Sequence, residues 1–182
     1  MSNDPSKAPL DPPPLAASDS HCLLAVEGWL ELGNPREAAA EWEKLTPAGR
    51  HHPAALERRW QILAHTQSWD EAVEVAGSLI TALPDVAAGW LHRAYALRRS
   101  PQGGLGAAWD ALYPAAQRFP KEEVVAYNLA CYATQLGRAD EGWEWFLRAL
   151  QITADSKAIR RMGLEDVDLK PLWPRIRGLD PS

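Results

Sequence analysis

The sequence predicts an all-α fold: a right-handed α-solenoid of about four helix–turn–helix repeats, closed by a C-terminal capping helix. Three observations predict it. From about Asp19 onward, apolar residues recur at three- and four-residue spacing, and alternating strand patterns are missing. Small residues at Ala38, Ala72, Ala108 and Gly142 stand 34, 36 and 34 positions apart. Positions in the preceding helices, Trp29, Leu63, Leu97 and Ala133, stand 34, 34 and 36 apart. Two extra residues therefore fall between Leu97 and Ala108, where Ser100-Pro101-Gln102-Gly103-Gly104 reads as a turn that tolerates insertion.

The elements follow in order. Residues 1–18 hold five of the fifteen prolines, among them Pro12-Pro13-Pro14, and are expected to form a Pro-rich disordered tail. A ligand for a polyproline-reading domain is the sharper alternative for this tail. It has no basic stretch followed by an apolar one, so no secretory signal is expected. The repeats are expected at 19–52, 53–86, 87–122 (with the two-residue insertion) and 123–152. Their second helices share further register positions. Trp42, Ala76, Leu112 and Phe146 form one row, and Leu45, Leu79, Ala115 and Ala149 another. Residues 153–178 are expected to cap the stack, because a solenoid otherwise leaves an apolar face at its end. Ile159 and Met162 would cover that face from one short helix, and Leu169, Leu172 and Trp173 from another, with Gly163 at the break. Residues 179–182 are a short tail.

A 34-residue helix–turn–helix period resembles the tetratricopeptide repeat (TPR) family. The resemblance covers about residues 19–152. Its marks are Leu32-Gly33 and Leu136-Gly137 at helix–helix turns, closing prolines at Pro84 and Pro120, and small residues where helices cross. The family's first-helix glycine is replaced by Val26, Trp60, Ala94 and Ala130, and Gly142 stands where alanine is usual. The stretch Tyr127-Asn128-Leu129-Ala130-Cys131-Tyr132 and the ending Met162–Trp173 look like a version found in short bacterial TPR proteins.

The resemblance implies a concave face lined by the first helix of each repeat. It places Arg58, Gln61, His65, His92, Tyr95, Arg98, Arg99, Tyr127 and Asn128 there as candidate partner-binding residues. Cations, amides and rings in that mixture suit an extended peptide carrying acidic or carboxylate groups. Each residue has a blander reading. Arg98 and Arg99 close a helix, where positive charge complements the dipole. Arg58 could be a solvated face residue, Tyr95 and Tyr127 could pack between repeats, and His65 and His92 stand alone. Chaperone-tail clamping, known for some family members, is not expected, because Leu23/Glu27 and Glu57/Gln61 stand where Lys/Asn would be required.

The nine tryptophans against two phenylalanines fit this architecture. Trp29, Trp42, Trp60, Trp69, Trp90, Trp109 and Trp143 take packing positions, with Trp109 and Trp143 at repeat–repeat contacts, and Trp173 joins the cap. Trp145 either lies beneath the cap or forms a second interaction patch.

Composition narrows the function. With 19 basic and 24 acidic residues the net charge is −5, which argues against a general nucleic-acid binder. No apolar run approaches the ~20 residues of a membrane span. Two cysteines cannot build a disulfide scaffold, so a reducing, cytoplasmic setting is expected. No CxxC, HExxH or phosphate-loop pattern appears, and His51-His52 have no companion ligand nearby. No catalytic residue, metal or cofactor is therefore expected. The expected function is a non-catalytic adaptor that binds a partner peptide or helix in its groove, as a monomer or homodimer. The alternatives are a small TPR chaperone of a secretion system and, further off, a metal-dependent enzyme.

Overall fold

The structure, a computed structural model, describes residues 12–179, which are helical throughout with no strand among them. The chain divides into two compact units, one up to Gly89 and one from Trp90. The first eleven residues of the expected Pro-rich tail, and the last three residues, lie outside the described range.

Unit 1 is built from two helical hairpins. Helix α1 (Ala17–Glu31) pairs with α2 (Pro35–Trp42). After a single-turn helix α3 (Pro47–Arg50), α4 (Pro53–His65) pairs with α5 (Trp69–Ala82). The turn after α1 needs a left-handed residue: Gly33 has φ +68°, and Asn34 N–H closes it onto Trp29 O at 2.8 Å. Asn34 then caps α2 by accepting from Glu37 N–H, and Pro35 supplies the preset first helical φ.

The second turn repeats this geometry with Gln67 (φ +57°) at the position of Gly33, the only non-glycine with positive φ among the described residues. Leu23, Val26, Ala38, Trp42, Leu45, Ala55 and Ile62 form one buried cluster, with Trp29 partly buried against it. Trp42 donates its indole N–H to Ala55 O at 3.0 Å and carries Arg50 and Arg59 about 5 Å from its ring. Asp19, 2% exposed, accepts from Thr46 N–H (2.9 Å) and Thr46 Oγ1–H (2.6 Å), tying α1 to the turn that opens α3.

Unit 2 contains most of α6 (Ala88–Arg99), then α7 (Leu105–Leu112) and α8 (Ala115–Arg118). The hairpin of α9 (Glu123–Gln135) and α10 (Ala139–Ile152) follows. Pro114 explains the interruption between α7 and α8, since it lacks an N–H for the helix ladder. The register survives: Ala115 is fully buried, as are Ala108, Leu112, Phe146 and Ala149. Gly137 (φ +79°) closes the α9–α10 turn as Gly33 closes the first.

The alanine-to-glycine departure at Gly142 has a steric reason. A Cβ there would lie 2.3 Å from Thr134 Oγ1, which is engaged with Ala130 O at 2.7 Å.

The C-terminal element is α11 (Ser156–Glu165), a 3₁₀ segment (Val167–Leu172) and α12 (Trp173–Arg177). Leu169, Leu172 and Ile176 are buried almost completely, and Ile159 is 8% exposed. Two expectations are corrected here. Met162 is 43% exposed, so it does not serve as a capping residue. Gly163 is not a break, because α11 runs through it to Glu165. It is small because a Cβ would meet the Phe146 ring at 2.7 Å. Trp173 donates to Gly163 O at 2.9 Å and carries Arg177 on its ring.

Candidate interaction faces

The residues expected to line one partner groove sit on two faces in different states. On unit 1, α1 and α4 border an open groove of about 410 Å³ lined by Leu15, Ser20, Leu23, Leu24, Glu27, Ala54, Glu57 and Arg58. Leu24 is 66% exposed there, whereas Leu23 turns into the core at 8%. The Arg58 guanidinium donates to Glu27 Oε1 at 2.7 Å and to Gln61 Oε1 at 3.2 Å. It is a positioned cation with a carboxylate already in hand. His65 is exposed in the last turn of α4.

On unit 2 the first-helix face carries the chain's own C-terminal segment. Arg98 holds the Asp168 carboxylate through both terminal nitrogens, Nη2–Oδ1 at 2.8 Å and Nη1–Oδ2 shorter still. Tyr127 O–H donates to Asp166 Oδ2 at 3.1 Å, and Cys131 Sγ approaches the same oxygen at 3.5 Å. Gln135 Nε2 donates to Asp168 O at 2.9 Å, and Asp166 Oδ1 accepts from Asp168 N–H at 2.9 Å.

Burial, followed by the neighbouring thiol and carboxylate, pushes the Tyr127 hydroxyl well above its ordinary range. Burial and then Asp166 push the Cys131 thiol up likewise. Burial raises Tyr132 to about 12, with Arg98 opposing the shift.

Cys131, Asp166 and Asp168 bring three potential metal-ligand atoms within 4.8 Å. Their hydrogen bonding argues for a latch instead. Asp168 is committed to Arg98, both Asp166 oxygens already accept, and the raised thiol is a weak ligand.

Of the remaining sequence-predicted residues, Tyr95 is 40% exposed. The Arg99 guanidinium lies 3.5 Å from its ring centroid and donates to Tyr95 O at 3.2 Å. Asn128 donates to Val124 O one turn back at 2.8 Å. His92 is half-buried on α6.

Trp145 is half-buried against Trp109 (centroids 6.5 Å, edge-on) and Tyr113 (6.1 Å), with Arg148 over its ring. Trp143 stacks on Phe146 at 6.0 Å and lies under Arg175 of α12. Trp145 thus meets Trp109 and Tyr113 rather than lying beneath the cap, and Trp143 meets Arg175 of α12. Sequence reasoning missed Asp166 and Asp168. An acidic pair near the C-terminus, opposite an Arg/Tyr/Gln-lined face, was the available signal.

Paired helices in a 34-residue register, with small residues at their crossings, define the TPR fold, an all-α solenoid. Solved structures of MamA, itself a TPR-fold protein, share it. One MamA crystal structure aligns with a TM-score of 0.66 and 15% identity, covering 88% of each chain. The MamA RS-1 ArsTM double mutant aligns at 0.64 and 17%, covering 75% of this chain and 76% of that one. MamA 41-end from Desulfovibrio magneticus RS-1 gives 0.51 and 16%, covering 76% and 97%. No family model and no curated protein matches the chain. Among the described residues, no helix is long and apolar enough to cross a membrane.

Proposed function

We propose that the protein is a non-catalytic interaction scaffold that holds a segment of a partner protein on the first-helix face of unit 1, between α1 and α4. The observation that carries this reading is the open groove around Leu24, in contrast to the corresponding face of unit 2, which the chain fills with its own residues. An exposed leucine on a preorganised helical surface supplies apolar area for binding with little ordering penalty. The groove read across four repeats thereby narrows to its first half. Arg98 and Tyr127 become holders of the cap, and Arg58, positioned by Glu27 and Gln61, becomes part of the polar wall of the open groove. The two free thiols, Cys22 and Cys131, suit a reducing cytoplasm.

A photo-crosslinking residue at Leu24, compared with one at Val167 on the cap (72% exposed), tests the assignment in source cells. A discrete partner adduct from position 24 and none from position 167 is expected. Adducts from position 167 alone would refute the unit 1 assignment.

A further inference from the structure

The cap folds with part of its acidic complement turned inward, and its outer surface is left basic. Residues 153–179 hold six cations (Lys157, Arg160, Arg161, Lys170, Arg175, Arg177) and four carboxylates. Two of the four, Asp166 and Asp168, are spent on Tyr127 and Arg98. Only Asp155 and Glu165 remain exposed to balance the six, on a chain whose net charge is −5. We infer that the outer side of α11 docks an acidic segment of a partner protein, one that carries an apolar residue among its carboxylates. This surface is separate from the α1–α4 groove.

The helix pattern locates it. Ile159 and Gly163 are buried one turn apart on α11, so Lys157, Arg161 and Leu164 come out on the opposite side. A shallow hollow of about 440 Å³ lies there, lined by Lys157, Arg160, Arg161, Leu164 and Glu165. Val167, on the following 3₁₀ segment, is not among them. Arg160 is already engaged, donating to Leu179 O at 2.5 Å. Lys157 and Arg161 have no hydrogen-bond or ion-pair partner among the described residues, and no ion pair joins Arg161 to Glu165 one turn on. Two exposed cations are therefore available to carboxylates without breaking any bond of the fold. Leu164, half-buried between them, adds apolar contact that a purely ionic partner would leave unused. A long polyanion fits less well, because its charges would run past one basic helix and into the acidic remainder of the chain.

The probes are a synthetic peptide of Glu and Ser with one central leucine, and its counterpart with Lys in place of Glu. Binding to the full chain is read by fluorescence anisotropy. The Glu peptide should bind about tenfold tighter than the Lys peptide, and most of that margin should vanish between about 50 mM and about 500 mM salt. Lys157→Glu with Arg161→Glu should weaken the Glu peptide about tenfold. The same double reversal at Arg36 and Arg93, exposed on α2 and α6, should change it by less than about twofold. Leu164→Ser should weaken it about threefold. Leu24→Asp should have no effect. All four reversed side chains are exposed, so the melting transition should not move in either charge variant.

Equal or tighter binding of the Lys peptide would overturn the inference. An equal loss from the Arg36 and Arg93 reversal would reduce the effect to net charge and overturn it too. Loss with Leu24→Asp and not with the α11 reversal would put the peptide in the unit 1 groove, overturning this inference and leaving the groove reading intact. Tighter binding of phosphatidylserine vesicles or of a single-stranded oligonucleotide through the same α11 residues would give the surface to a membrane or a nucleic acid instead. Self-association abolished by the α11 reversal, without binding of the Glu peptide, would give it to a second copy of the chain. No saturable binding of the Glu peptide up to about 1 mM would overturn the inference outright.

Discussion

The two units present the same kind of surface in opposite states. In unit 2 the first-helix face is closed by residues 166–172: two carboxylates are hooked by Arg98 and Tyr127, and two leucines are fully buried behind them. In unit 1 the face stays open, with Leu24 in solvent and its cation spent on Glu27. The difference separates folding from binding. The polar hooks of unit 2 look like a ligand site, but the buried aliphatic residues beside them make the segment part of the core. Burying Leu169, Leu172 and Ile176 contributes on the order of 5 kcal/mol, more than a competing peptide's carboxylates would recover.

The sharpest way to break this comparison is to remove the cap. Truncation after Ile152 deletes those three side chains and uncovers Phe146, now fully buried. The loss, on the order of 5 kcal/mol or more, matches the whole stability of many small domains. Hydrogen exchange should show α9 and α10 losing protection while α1, α4 and α5 keep theirs. Unchanged protection in α9 would mean that the segment only rests on the surface, and unit 2 would then be a candidate binding face after all.

The units should also differ in their response to pH. Cys131 and Tyr127 have raised values in the folded chain, so their contribution is present below their ordinary values of 9.0 and 10.0 and is lost as pH rises beyond them. Each such group removes at most about 1.4 kcal/mol per pH unit above its ordinary value. Asp19 in unit 1 has a lowered value, owed first to the Thr46 hydroxyl and then to the Thr46 backbone N–H. Its contribution is present above 3.8 and is lost as pH falls below that value. Segment-resolved exchange should therefore show unit 2 opening first in alkali. Cys131→Ala should move the alkaline onset upward. A common alkaline onset of the two units would contradict the scheme.

Much of this was legible in the sequence, for reasons specific to each residue. The 34-residue register located the helix crossings, because steric demand there admits only small side chains. Arg98 was legible as a carboxylate binder, since guanidinium chemistry is local to the residue, whereas Tyr127 was legible only as a packing ring. That the carboxylate on Arg98 comes from the same chain was not legible, because Asp168 lies 70 positions from Arg98 and only the fold joins them. That Trp143 rather than Trp145 meets the cap was hidden for a related reason. Register fixes a row along a helix, but the facing partner, Phe146 or Trp109, depends on how the neighbouring elements pack.

Double-mutant cycles on the two ion pairs sharpen the contrast at a smaller scale. Arg98–Asp168 is bidentate, with side chains 27% and 18% exposed, while Arg58–Glu27 is 27% and 44% exposed. Arg98→Met with Asp168→Asn should reveal a coupling of about 1–2 kcal/mol. Arg58→Met with Glu27→Gln should reveal about 0.5 kcal/mol or less, because water screens the more open pair. Equal couplings would show that the latch adds no more than a surface bridge.

The smallest expected effect lies in the turns, where the units differ by one residue type. Gln67 in unit 1 and Gly137 in unit 2 both hold positive φ between paired helices, at +57° and +79°. A side chain in that region crowds its own backbone, which costs about 1–2 kcal/mol. Glycine avoids that crowding, but its greater freedom in the unfolded chain returns about 0.5–1 kcal/mol of the gain. The balance predicts that Gln67→Gly stabilises unit 1 by about 0.5–1 kcal/mol and that Gly137→Gln destabilises unit 2 by a similar amount. Thermal melts of the two variants, with exchange protection assigning each change to its unit, measure both signs at once. A neutral Gln67→Gly would mean that Ser68 N–H to Leu63 O at 2.9 Å and Thr66 Oγ1–H to Ile62 O at 3.1 Å already hold the turn against its strain. The two turns would then be equivalent despite their sequences.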